Sequence, residues 1–271
     1  DRTVDGPLWT ERDAVLITYG DSLQLPGELP LATLLGFLRE HLADVVSIVH
    51  LLPFFPYSSD DGFSVIDYRL VGPELGTWDD IDAISRHFDL MFDFVLNHVS
   101  RESLWFNDYL EHMPPGKDFF IEVDPSENLA TVVRPRSSPL LVEIRTRHHM
   151  RHVWATFSHD QIDLNYANPD VLLAMLEILL FYVRQGARIL RLDAVAFLWK
   201  EVGTPCVHLP RTHAVVKLFR DILEDLEPGC VLLTETNVPH AENIRYFGDG
   251  DEAHMVYQFA LPPLLLHAIH T

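Results

Sequence analysis

The chain has 271 residues, 48% of them hydrophobic, enough to bury a large core as one barrel or as a domain carrying an insertion. With 20 basic against 40 acidic residues its formal charge is −20, which argues against a phosphate-backbone partner and so against nucleic-acid binding. The longest uncharged run, Ala253 to Thr271, contains three histidines and two prolines and is not expected to cross a membrane.

Asp1 to Asp5 has neither the basic head nor the apolar core of a secretory signal, so none is expected. Ala14 to Tyr19 is a short apolar, β-branched run and predicts a first strand, ending in a turn at Gly20-Asp21. Apolar residues at Leu31, Leu34, Leu35, Leu38, Leu42 and Val45 predict an amphipathic helix over 30–45. Ser47 to Leu52 predicts a second strand, stopped by Pro53 and followed by an aromatic-rich loop over 54–63. Thr77, followed by Trp78-Asp79-Asp80, predicts a capped helix N-terminus with acids in its first turn, and that helix runs to about His87. Leu90 to Leu96 predicts a third strand tipped by Asn97-His98.

Residues 100–160 break this rhythm: they are rich in Pro, Arg, His and aromatics and show no long apolar periodicity. A stretch of that length is expected to be an inserted subdomain or a functional loop system. Asn168-Pro169-Asp170 then caps a helix to Arg184, and a strand ending at Asp193 follows. A helix over 212–226 leads to a strand ending at Glu235, and 255–261 and 264–269 predict one more strand and a short helix. Alternating strands and helices mean βαβ units and a parallel sheet. Six such units are present, where a closed (β/α)8 TIM-type barrel needs eight, so the expected fold is an incomplete barrel. Its first part spans 1–99, the insertion 100–160 and its second part 161–271. Two cysteines, Cys206 and Cys230, are too few for a disulfide framework and point to a reducing cytoplasm.

Two strands carry the chemistry. Arg188 to Lys200 opens as an apolar strand around Arg191 and stops on Asp193; Val231 to Asn237 likewise runs apolar and stops on Glu235. Charge inside an apolar run is costly unless it is paired or has a task, and the C-terminal rim of a barrel is where such tasks are performed. Cleaving a glycosidic bond with retention needs two carboxyl groups about 5–5.5 Å apart. Adjacent strands lie about 4.8 Å apart, so two strand-tip carboxylates come close to that separation. Asp193 is the candidate nucleophile, with Arg191 two residues back on the same face and expected to keep its pKa low. Glu235 has no cation nearby in sequence and is the candidate general acid and base. His98, Asp60 and Phe63 are candidates for holding the sugar, through hydrogen bonds and stacking respectively. Arg134 and Arg136, with the basic run 145–149, are candidates for holding an anion near the mouth. His148, His149, His152 and His159 match no standard metal spacing, and no metal or organic cofactor is expected.

These motifs together resemble the α-amylase superfamily of glycoside hydrolases, and within it the sucrose phosphorylase group. The resemblance rests on 93–98, on Arg191-Leu192-Asp193-Ala194 and on Glu235. It rests further on Leu52-Pro53-Phe54-Phe55, Asp60-Asp61-Gly62-Phe63, Arg134-Pro135-Arg136, Gln161-Ile162-Asp163-Leu164 and 259–267. It implies Asp193 as nucleophile and Glu235 as acid/base. Asp60, His98 and Arg191 would hold a glucosyl unit, with Phe63, Phe157 and Gln161 lining its subsite. It also implies an α-glucoside and inorganic phosphate as partners, and leaves room for a homodimer. The segment Glu235 to His240 is closer to relatives acting on glucosylglycerate or glucosylglycerol than to sucrose-specific ones. The family's fourth block, a His-Asp pair on the seventh strand, is not found up to Thr271, which makes a fragment or an inactive sugar-binding form the alternative expectation, beside a hydrolase or transglucosidase.

Overall fold

Six of the apolar runs pair side by side in one curled sheet. The computed structural model describes residues 6–271. β1 (Val15–Thr18) is followed by α1 (Pro30–Phe37), β2 (Ile48–Leu51), α2 (Trp78–Ser85) and β3 (Asp89–Val95). β4 (His98–Ser100), α3 (Leu104–Glu111), β5 (Leu141–Arg145), β6 (Met150–Trp154) and β7 (Gln161–Asp163) come next. α4 (Pro169–Arg184), β8 (Ala187–Asp193), α5 (Pro210–Leu226) and β9 (Val231–Thr234) resume the alternation. It closes with α6 (His240–Asn243), β10 (Met255–Val256) and α7 (Leu261–His270). The main sheet has the order β1-β2-β3-β8-β9-β10, and every pairing in it is parallel. This is the incomplete (β/α) barrel that the alternation predicted.

Strands of such a sheet are covered by helices on the outside, so they carry apolar residues on both faces. Phe54, Phe55, Phe92, Phe94, Tyr182 and Phe219 fill the layer between sheet and helices, with the Phe55 and Tyr182 rings stacked at 5.1 Å. The caps follow the local sequence. Thr77 donates its backbone N–H and its hydroxyl to Asp80 Oδ2 at 2.8 and 2.9 Å, and the Asn168 side chain accepts from the Asp170 amide.

Four predicted elements differ from what forms. The helix expected over 30–45 is α-helical only to Phe37 and continues as a π turn over Leu38–Leu42, which buries Leu38 and leaves 39–41 at the surface. The strand expected over 255–261 shortens to β10, an edge strand with β9 as its one neighbour; beyond it the Tyr257 carbonyl accepts from Asn243 Nδ2 at 2.6 Å. α7 starts three residues earlier than expected, because Pro262 and Pro263 fall in its first turn, where a missing amide costs nothing. His98 is not the tip of the third strand: β3 ends at Val95, and His98 lies on β4, paired antiparallel with β7 opposite Asp163. Residues 100–160 hold more regular structure than their composition suggests, namely α3 and the β5–β6 hairpin.

One turn of the aromatic loop depends on glycine. Gly62 has φ +101°, and a Cβ there would lie 2.8 Å from both the Cβ and the carbonyl oxygen of Pro53. Gly62→Ala is expected to cost more than about 1 kcal/mol, read as a lower melting temperature, because strain and collision act together.

Candidate active site

β8 and β9 are neighbours in register, Leu192 opposite Thr234, so the next residues, Asp193 and Glu235, leave the sheet side by side. The Glu235 amide donates to the Leu192 carbonyl at 3.1 Å, and Glu235 Oε2 accepts from the Ala194 amide at 3.2 Å. The second bond places the Glu235 carboxylate one peptide away from the Asp193 side chain. Ala194 adopts a left-handed backbone (φ 51°), which breaks the strand immediately after Asp193. The loop after Glu235 is tied down by Thr236, whose hydroxyl donates to Asn243 Oδ1 at 2.5 Å.

Arg191 is shared. It donates to Asp193 Oδ1 at 2.9 Å and is also hydrogen-bonded to Asp93, its register partner on β3. His50 on β2 approaches Asp93 from the other side, Nε2 to Oδ2 at 2.8 Å. The guanidinium packs over the Phe63 and Tyr257 rings, 5.6 Å from each centroid.

Burial reverses the expected pKa of the nucleophile candidate. Arg191 does favour the charged form of Asp193, but burial, with Glu235 and Asp93 as neighbouring carboxylates, outweighs it and pushes the Asp193 carboxyl up to about 7. Only the ionised form can attack, so kcat/KM of the full-length protein is expected to fall as pH drops below about 7, checked by a pH–rate profile. Between the ordinary value of 3.8 and about 7 the folded chain holds a proton that the unfolded chain has released. The stability this group contributes is therefore full below 3.8 and is lost as pH rises to about 7.

The remaining candidates connect to this centre through Phe63. Its carbonyl accepts from His98 Nε2 at 2.9 Å and from Gln161 Nε2 at 3.3 Å, and Gln161 also donates to Asp60 Oδ2 at 2.8 Å. The Phe157 ring lies 5.2 Å from the His98 ring. His98 is buried, and burial lowers its pKa, so it is a neutral hydrogen-bonding group near pH 7. Asp60, Phe157, Gln161 and Arg136 line a cavity of about 780 Å³ that also takes in Arg101 and Ser138. Arg134 is exposed and does not line it, whereas Arg136, two residues on, does. The basic run 145–149 sits at the tip of the β5–β6 hairpin. Among the described residues no group of three or more His, Cys, Asp or Glu is arranged to hold a metal ion.

Sequence reasoning gave no role to Asp93, His50, Lys200, Asp163 or Tyr257. Asp93 and His50 left a signal, a polar residue in the middle of an apolar strand (Asp89–Val95 and Ile48–Leu51). Lys200 left none: it follows the strand that ends on Asp193 and is buried only by the fold, where it pairs with Asp163 at 2.7 Å.

Parallel strands of a partial barrel carry two carboxylates at the carboxyl ends of the neighbours β8 and β9, the rim where such folds keep their chemistry. The α-amylase catalytic domain model matches residues 41–268, and the chain belongs to that family. It is 63% identical over 256 residues to a glucosylglycerate phosphorylase of Spirochaeta thermophila, covering 94% of this chain and 44% of that protein. The Escherichia coli glucosylglycerate phosphorylase is 56% identical, with 96% and 47% covered. The crystal structure of sucrose 6F-phosphate phosphorylase from Thermoanaerobacter thermosaccharolyticum superimposes with a TM-score of 0.83 at 29% identity, covering 94% of this chain and 53% of that one. The chain spans about half the length of the curated relatives it matches. Among the described residues no helix is long and apolar enough to cross a membrane.

Proposed function

We propose that the full-length protein is a retaining glycoside phosphorylase. It cleaves an α-glucoside, with glucosylglycerate as the favoured substrate, and transfers the glucosyl unit to inorganic phosphate. Asp193 attacks the anomeric carbon while Glu235 donates a proton to the departing oxygen. Phosphate, deprotonated by Glu235, then displaces Asp193 to give α-glucose 1-phosphate. The observation that carries this reading is the pair itself, two carboxylates side by side at the carboxyl ends of β8 and β9 with Glu235 bonded to the amide after Asp193. The relatives' names supply the substrate class.

In this scheme Asp60, His98 and Gln161 hold glucosyl hydroxyls, Arg191 holds Asp193 in place, and Phe63 and Phe157 stack against the sugar. Arg136, on the cavity beside Asp60, takes an anionic group of the aglycone or phosphate, and residues 100–160 form the insertion that frames the mouth. The two buried, unpaired thiols support a reducing, cytoplasmic setting. The full-length protein, given glucosylglycerate, is expected to release α-glucose 1-phosphate only when phosphate is present. Release of glucose at the same rate without phosphate would overturn the assignment in favour of a hydrolase.

A further inference from the structure

Behind the His98 ring lies a charged group that the chemistry above leaves unused. Lys200 is buried, its side chain 2% exposed, and its Nζ lies 2.7 Å from Asp163 Oδ2 and 2.7 Å from Asn97 Oδ1. Asp163 and Asn97 are fully buried. Asp163 is otherwise satisfied by Thr156, which donates its amide to Oδ1 at 2.9 Å and its hydroxyl to Oδ2 at 2.6 Å. An ion pair this deep is seldom worth its desolvation as a source of stability, which makes its conformational consequence the more informative quantity.

That consequence follows from donor and acceptor counting. An ammonium has three donors and no acceptor, so the Asn97 atom facing Lys200 is the carbonyl oxygen. The amide nitrogen therefore faces the other way, 3.1 Å from Asp163 Oδ2 and 3.2 Å from His98 Nδ1. A carboxylate accepts only, so Asp163 demands the same orientation from its side. With an N–H of Asn97 pointed at it, Nδ1 of His98 must be the unprotonated, accepting nitrogen. The ring proton then resides on Nε2, the nitrogen that donates to the Phe63 carbonyl at 2.9 Å; the Gln161 amide nitrogen, 3.2 Å from it, is itself a donor and spends its hydrogens on Asp60 Oδ2 and the Phe63 carbonyl. Nε2 is thus the only nitrogen of the ring able to donate toward the Asp60–Gln161 side.

We propose that the buried Lys200–Asp163 pair acts as a positioning device: it locks the Asn97 amide so that His98 carries its one ring proton at Nε2, where it is held by the Phe63 carbonyl and is the only ring N–H that a glucosyl hydroxyl could share. This inference rests on the proposed role of His98 as a donor to a glucosyl hydroxyl. A sugar hydroxyl can adapt to a donor or an acceptor, so the lock selects which hydroxyl geometry is held. No proton is transferred in this role, and Lys200 does not touch substrate.

The test reads the tautomer directly and does not depend on turnover. Nitrogen-15 spectra of histidine-labelled full-length protein, with His98 assigned by its loss in His98→Gln, should show Nε2 protonated and Nδ1 bare. Asn97→Asp keeps the volume and the contact to Lys200 but places an acceptor opposite Nδ1. It should move the proton to Nδ1 or protonate both nitrogens. Lys200→Met should give a mixture, since the cation that fixes the Asn97 carbonyl oxygen is then gone. Leu179→Ala, a fully buried helix position with no polar contact to the cluster, serves as the stability control and should lower the melting temperature without altering the His98 signals. A bare Nε2 in the unmodified protein, or unchanged His98 signals in Asn97→Asp, would overturn the proposal. If Lys200→Met does not fold, Asn97→Asp still decides. Where the signals change as expected but phosphorolysis is absent from the unmodified protein, it is the assigned function that fails and the positioning device that stands.

Discussion

Replacing Asp193 with Ala is expected to lower kcat for phosphorolysis by a factor on the order of 10⁴ or more, about 5–6 kcal/mol of transition-state stabilisation. The size follows from what is removed. A covalent intermediate splits one difficult displacement into two easier ones, and the two carboxylates beside it are otherwise engaged: Asp93 is fully buried and bonded to His50 and Arg191, and Glu235 is held to the Ala194 amide. The fold should be little disturbed. Asp193 is pushed up toward neutrality in the folded chain, so its loss removes a group whose charged form is poorly accommodated. Full-length Asp193→Ala with an unchanged or raised melting temperature and no measurable glucose 1-phosphate is the expected pair of results. Activity equal to that of the unmodified protein would mean that the carboxylate pair performs no chemistry.

Arg191→Met should produce the second large effect, this time on stability as well as on rate. The guanidinium is the cation bonded to both Asp93 and Asp193, one of them fully buried and the other nearly so. Removing one partner of a buried charge network costs about 3–5 kcal/mol, because the remaining charges stay desolvated. Asp193, already pushed up to about 7, can escape part of that cost by taking up a proton. The loss in melting temperature should therefore be greater above neutral pH than in mild acid, measured on the same preparation across that range. Adding Asp93→Asn to Arg191→Met should recover part of the stability, since it removes one of the stranded charges, and none of the activity. A uniform loss at every pH would indicate that the guanidinium contributes by packing between the Phe63 and Tyr257 rings and not by charge.

The alternation of apolar runs and amphipathic stretches determined the parallel sheet, and the caps at Thr77 and Asn168 located the starts of two of its helices. These are local properties, set by periods of two and 3.6 residues and by caps that act within one turn. The same locality made Asp193 and Glu235 legible, because a carboxylate that ends an apolar strand stands out wherever that strand lies. Tertiary structure alone decided how those groups behave. Asp93 reaches Arg191 across 98 residues of chain and His50 reaches Asp93 across 43, so no short window of sequence could show that one guanidinium serves two carboxylates. Burial, with Glu235 and Asp93 beside it, raises the Asp193 pKa where the neighbouring arginine alone would lower it. His98 moved from a strand tip to a buried two-stranded sheet for the same reason. Which charges share a desolvated space depends on register between distant strands, and register is fixed only when the sheet is assembled.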